Sequence, residues 1–144
     1  MKIDDTNIDI IRELKQGKKS FKKIADKLAI TENTVRSRVN MLQEEGVLEI
    51  CGLVDPATLP GHRAVIIGIK LTEMNLVEKG EEISKLKGVI SVCVVTGRYD
   101  LLVLVLFKKG FGLLEFYTEE IAQIKGIRSV ETFVIYKSYN LKVP

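Results

Sequence analysis

Between Lys15 and Arg38 the chain carries Lys15, Lys18, Lys19, Lys22, Lys23, Lys27, Arg36 and Arg38 against only Asp26 and Glu32. Cations clustered with so little opposing charge are the footprint of a surface that neutralises phosphates, although a plain solvated helix face carries the same signature. The later part of the stretch adds side chains suited to base edges. Arg36 and Arg38 can donate to guanine or to phosphate, Asn33 and Asn40 can pair with adenine, and the Thr34 methyl can touch thymine, with Glu32 and Ser37 filling the same polar faces. Thr31, Ser20, Lys18, Lys19 and Lys22 suit phosphates instead, contacts that set register without reading sequence. The spacing assigns no base to any one residue.

Other chemistries find little support. There is no Gly-rich phosphate loop, the carboxylates are scattered over helix surfaces, and the lone histidine, His62, sits beside Pro60-Gly61 as a linker residue would. Cys51 and Cys93 form no CxxC unit, and with one histidine they make no zinc set, so both read as reduced, small hydrophobes. No catalytic residue, metal ligand or cofactor is expected.

The elements that would position the polar residues follow from apolar spacing. Asp4 and Asp5 suit a helix start, Ile8, Ile11 and Leu14 recur at helical intervals, and Gly17 ends that segment. Ser20 suits an N-cap for a second helix, whose Phe21, Ile24, Ala25 and Leu28 share one face. After the short turn Leu28-Ala29-Ile30, Thr31 caps a third helix with Val35, Val39 and Leu42 as its apolar line and Gly46 as its stop. Two short helices joined by a tight turn, the second polar and basic outward, describe a helix-turn-helix whose second helix fits the major groove. A three-helix packing module without DNA is the competing reading. Val47–Val54 alternates enough to be an extended strand, and Asp55-Pro56 and Pro60-Gly61 punctuate the linker. The division is then 1–46 for the helix-turn-helix, 47–62 for strand and linker, and 63–144 for a second domain.

In that second domain the periodicity changes. Ala64–Leu71 is a β-branched run, Leu76–Leu86 is helical with Leu76, Val77, Ile83 and Leu86 as apolar members, and Val89–Val95 and Leu101–Phe107 flank a turn at Gly97–Asp100. A helix over Phe111–Ile124 and a strand over Val130–Tyr136 complete a βαββαβ, ferredoxin-like order, an α+β fold. The echo of Leu86-Lys87-Gly88-Val89 in Ile124-Lys125-Gly126-Ile127 fits two equivalent halves. Leu101, Val103 and Val105 alternate with Leu102, Leu104 and Leu106, so both faces of that strand are apolar. A monomer exposing such a face would be sticky, which predicts a symmetric homodimer, the state a helix-turn-helix needs to read two half-sites.

With 144 residues, 46% hydrophobic and 28% charged, a folded, two-domain chain is expected. The net charge of +3 is too small to argue for nucleic acid by itself. Leu101–Phe107, the longest uncharged apolar run, is too short to span a bilayer, and Asp4 and Asp5 stand where a signal peptide would be basic. A cytoplasmic protein with no membrane partner is expected.

Over essentially its whole length the chain resembles the Lrp/AsnC, or feast/famine, family of transcriptional regulators. The resemblance rests on Ile24-Ala25, Thr34-Val35-Arg36-Ser37-Arg38-Val39 with Leu42, Glu45-Gly46-Val47-Leu48, Asp55-Pro56, Pro60-Gly61, the turn Gly97-Arg98-Tyr99-Asp100 leading into Leu101-Leu102-Val103, and Gly126-Ile127 to Thr132. It implies a three-helix winged helix-turn-helix domain that binds double-stranded DNA as a repressor or activator, and C-terminal sheets that build dimers, commonly octamers. It also implies an amino acid or related metabolite as effector, held near Gly97, Arg98, Tyr99, Asp100 and Thr132. Gly97 would allow close backbone approach and Asp100 would take an ammonium, while an ordinary hairpin turn with Asp100 satisfying local amides is the alternative. Arg98 departs from the family pattern and either favours an acidic effector or salt-bridges across the site. Gln43 is a smaller departure. A sirohaem-decarboxylase-like enzyme shares this architecture, but its many-carboxylate substrate calls for a His-bearing pocket, and no histidine follows His62.

Overall fold

The computed structural model describes residues 3–144, which fall into two compact units divided between Cys51 and Gly52. Three helices build the first: α1 (Asp5–Leu14), α2 (Phe21–Leu28) and α3 (Glu32–Glu44). Each begins on a side-chain cap, because the first amides of a helix lack intrahelical partners. Asp4 accepts from the Asn7 amide, Ser20 from that of Lys23 and Thr31 from that of Thr34. α2 ends at Ala29, held in the left-handed region at φ 53°, and this residue makes the tight turn into α3.

Ile10, Ile24, Ala25, Val35 and Val39 form the core of this unit, with Leu14, Phe21, Leu28, Ile30 and Leu48 packed around them. Burying each large member contributes about 1.5–3 kcal/mol, so three short stripes suffice to orient three helices. Of the expected line of α1, Leu14 packs at the core but Ile8 is exposed, and the buried residues are Asn7, Ile10 and Glu13. Periodicity marked apolar residues only, and two of the three buried residues of α1 are polar because both find partners outside α1, Asn7 in Arg38 and Glu13 in Lys19 and Lys27. Val47–Val54 is not a strand either. It is irregular chain with one isolated bridge, Val54 to Val143, since alternation supplies a face but a ladder needs a neighbour.

The second unit runs β1 (Arg63–Leu71), α4 (Leu76–Ser84), β2 (Val89–Val94), β3 (Leu101–Phe107), a helical segment α5 and β4 (Ile127–Val134), preceded by a turn of 3-10 helix at Pro56–Thr58. The sheet is antiparallel with order β2-β3-β1-β4, the ferredoxin-like arrangement. α5 is not one α-helix: Leu113–Glu115 is α, Phe116–Glu120 a π turn and Ile121–Gln123 a 3-10 turn. The π turn puts Phe116 and Ile121, five apart, on the same buried side, which a 3.6-residue repeat would not. β4 starts three residues earlier than expected and stops at Val134, and Val77, expected inward on α4, is 79% exposed.

Register decides which face each strand residue uses. Val65, Ile67, Ile69, Leu101, Val103 and Val105 pack with Ile83, Phe107, Phe111 and Phe116 beneath the helices. Gly88, at φ 83°, lets the α4–β2 turn close against Leu106, whose carbonyl oxygen lies 3.0 Å from where a Cβ would sit. The opposite face carries Ile66, Leu102, Leu104 and Phe133, covered only at one end, where Leu141 and Val143 of the C-terminal tail fold over Ala64, Leu104 and Leu106. The uncovered part is a groove of about 480 Å³, bordered by Ser91, Cys93 and Leu141 and almost wholly apolar.

Candidate nucleic-acid interface

α3 buries Val35, Val39 and Leu42, which leaves Glu32, Asn33, Arg36, Ser37 and Asn40 on its solvent side. At 1.5 Å per residue this helix is about 20 Å long, a fit for the major groove. Thr31 is exposed, but its Oγ1 is engaged as the cap, 3.1 Å from the Thr34 amide and 2.8 Å from the Thr34 hydroxyl. Beside α3 lies an open hollow of about 600 Å³ lined by Asp4, Asn7, Asn33, Thr34, Ser37, Arg38 and Met41.

The basic stretch divides into two groups. Lys19 and Lys27 both donate to Glu13, which is 4% exposed, Lys19 at 2.7 Å; Lys19 also donates to Gln16. The two ammonium groups, Lys19 first, hold the Glu13 carboxyl below its ordinary range. Arg38 Nη1 donates to both Asp4 oxygens at 2.7 Å and to Asn7 Oδ1 at 2.8 Å, and that guanidinium lowers the Asp4 carboxyl in the same way. Arg36 donates to Glu32 at 2.8 Å and lies over the Phe21 ring, 5.3 Å from its centroid. Lys15, Lys18, Lys22 and Lys23 have no ion-pair partner among the described residues. Charge counting put Lys19 and Arg38 beside Lys18 and Lys22; the fold gives the first two internal partners. It also brings in Asp4 and Asn7, which sequence reading missed because 34 and 31 residues separate them from Arg38.

In the second unit the turn Gly97–Asp100 lies between β2 and β3. Gly97, at φ 119°, has open space where a side chain would be. Asp100 accepts from Lys70 at 2.7 Å and from the Leu71 amide at 2.8 Å; the ammonium and then the amide lower its carboxyl. Tyr99 lies flat against Gly68, donates to Glu131 and meets Phe133 edge-on, and the bond to Glu131 raises its hydroxyl above 10.0. Arg98 reaches Glu131 at 3.3 Å, so of its two expected behaviours the ion pair is the one the chain displays. Thr132 does not join this group: register puts it on the helix-covered face, its hydroxyl 2.7 Å from that of Tyr117. Lys70, Glu131 and Tyr117 were not foreseen, and all three come from other strands or from α5. Cys51 and Cys93, read as small hydrophobes, are both exposed and outside any disulfide. His62 is half-buried, Nδ1 3.1 Å from the Pro60 carbonyl oxygen. Among the described residues no helix is long and apolar enough to cross a membrane.

Comparison with known proteins agrees with this layout. Residues 64–142 match the model of the Lrp/AsnC ligand binding domain, and residues 3–49 match that of a winged helix-turn-helix DNA-binding unit. An HTH-type transcriptional regulator of Pyrococcus abyssi is 31% identical over 137 residues, which cover 94% of this chain and 87% of the relative. The leucine response regulatory protein of Mycobacterium tuberculosis superposes with a TM-score of 0.76 at 20% identity, over 96% of this chain and 95% of that one. A transcriptional regulator of Neisseria meningitidis, crystallised in complex with L-Met, superposes at 0.68 and 17% identity, over 97% and 94%. With a ligand-binding domain match across more than half its length and a relative that parallels it almost end to end, the chain belongs to the Lrp/AsnC family of helix-turn-helix transcriptional regulators.

Proposed function

We propose that this regulator binds double-stranded DNA by laying α3 in the major groove, with Glu32, Asn33, Thr34, Arg36, Ser37, Arg38 and Asn40 on or beside the reading surface. Lys18, Lys22 and Ser20, at the start of α2, lie against the phosphate backbone, and Lys19 and Thr31 support that contact from their internal bonds. The observation that carries this reading is the solvent side of α3: a 13-residue helix with asparagines, an arginine and a serine outward, next to lysines that have no ion-pair partner among the described residues. Gel shift of the chain against its own upstream region tests it. Salt-sensitive binding that weakens when Arg36 and Asn40 are both replaced by Ala is expected; equal binding by that variant overturns the placement of α3.

The second domain supplies pairing and sensing in this reading. Two copies bury the apolar sheet face around Leu102, Leu104 and Phe133 against each other, which removes a patch that water disfavours and sets two reading helices on a two-fold axis. Leu104→Asp places a charge there, and sedimentation should then give a monomer in place of a dimer or octamer. The effector is an amino acid or related metabolite bound at Gly97, Arg98, Tyr99 and Asp100, with Thr132 acting through Tyr117. The open space at Gly97 and the L-Met held by the Neisseria meningitidis relative support it. A thermal-shift panel of the amino acids at millimolar concentration is the test, and no stabilisation by any of them would leave pairing as the domain's task. The chain acts in the cytoplasm, where its DNA is, and carries out no chemistry on what it binds.

A further inference from the structure

On the reading that α3 enters the major groove, we infer that Glu32 is a specificity residue, which acts against unmatched DNA and restrains Arg36. Three observations meet here. Glu32 is the first residue of α3, the end of a reading helix that commonly lies nearest the bases. Its carboxylate is half-exposed on the outward side, 2.8 Å from Arg36 Nη2. Arg36 also lies over the Phe21 ring of α2, so two groups bias its guanidinium away from the phosphates.

A carboxylate in this place is repelled by the phosphates of any duplex and faces acceptors on most base edges. The cytosine N4 amino group is the major-groove donor it can accept from without a rival lone pair, while Arg36, one helical turn away, faces the O6 and N7 acceptors of guanine. Glu32 therefore lowers affinity for every sequence and recovers the loss only where a cytosine amino group meets it. Discrimination then comes from a penalty on wrong partners as well as from contacts to the right one. With the carboxylate gone, Arg36 loses its restraint and becomes one more phosphate contact.

The test compares the full-length chain with Glu32→Gln on two duplexes, a fragment selected by the parent chain and a random-sequence duplex of equal length, each titrated over several salt concentrations. For Glu32→Gln, affinity for the random duplex should rise about tenfold, the salt slope should steepen by about one per reading helix, and preference for the selected fragment should fall about tenfold or more. Both groups are on the surface, so the thermal midpoint of the variant should match the parent. Unchanged preference and slope, or equal weakening on both duplexes, overturns the role of Glu32 and leaves the reading of α3 standing. A parent chain that binds no duplex at low salt overturns both together.

Discussion

The division of the basic stretch into paired and unpaired cations can be tested by two substitutions that change the sequence charge equally. Lys22 has no ion-pair partner among the described residues, whereas Lys27 donates to Glu13, a carboxylate 4% exposed. If Lys18, Lys22 and Lys23 each meet a phosphate, a dimer makes about six such contacts. Log affinity should then fall with log salt at a slope of about −5, a loss of about a thousandfold between 50 and 200 mM. Lys22→Ala removes one contact from each copy, so the slope should become shallower by about two, with the unfolding midpoint unmoved. Lys27→Ala removes none, so the slope should stay while the midpoint drops, because Glu13 keeps only Lys19 against the cost of its burial. Fluorescence anisotropy of a labelled duplex across five salt concentrations, with a urea melt of each variant, measures both quantities. Equal slope changes for the two variants would refute the division, since sequence charge alone would then decide binding.

Three further outcomes follow from local geometry. Ala29 holds a left-handed φ of 53° at an exposed position, so Ala29→Gly should stabilise the first unit by about 0.5–1 kcal/mol in a urea melt, relief of that strain outweighing the added freedom of the unfolded chain. Glu13 is held below its ordinary value of 4.5 when folded, so its contribution is present above that value and is lost as pH falls through the folded one. Glu13→Gln should be less stable than the parent at neutral pH and should flatten the fall of the melting midpoint below pH 4.5. Tyr99 is shifted the opposite way, its hydroxyl donated to Glu131, so Tyr99→Phe should remove an ionisation step above 10.0 from an alkaline absorbance titration.

The fold was legible where one physical signal sufficed. Ser20 and Thr31 announced two helix starts because a hydroxyl before an apolar stripe has few other uses, and the caps are in place. The strand runs of the second half were equally plain, since β-branched residues alternating between a core and an apolar face have one comfortable conformation. Misreadings came where two signals competed. Val47–Val54 has strand composition and no strand beside it. Val77 matched the period of α4 but stands at its first turn, outside the reach of the sheet. The π turn in α5 was hidden because a five-residue spacing of buried side chains looks like an error in a 3.6-residue pattern.

The candidate interface was legible as composition but not as wiring. Local reading can say that Lys19, Lys22 and Lys27 are cations near a helix start; only the packing of α1 against α2 says that Glu13 claims the first and last of them. The same holds for Arg38, whose partners Asp4 and Asn7 lie at the far end of the unit in sequence. A buried carboxylate needs compensating charge, and it takes that charge from whatever the fold brings near, however well placed those cations look for phosphate. On the proposed reading the lysines left to the phosphate backbone are the ones the carboxylates of the fold do not reach, so a change at Asp4 or Glu13 should alter how many positive charges the unit presents to a duplex.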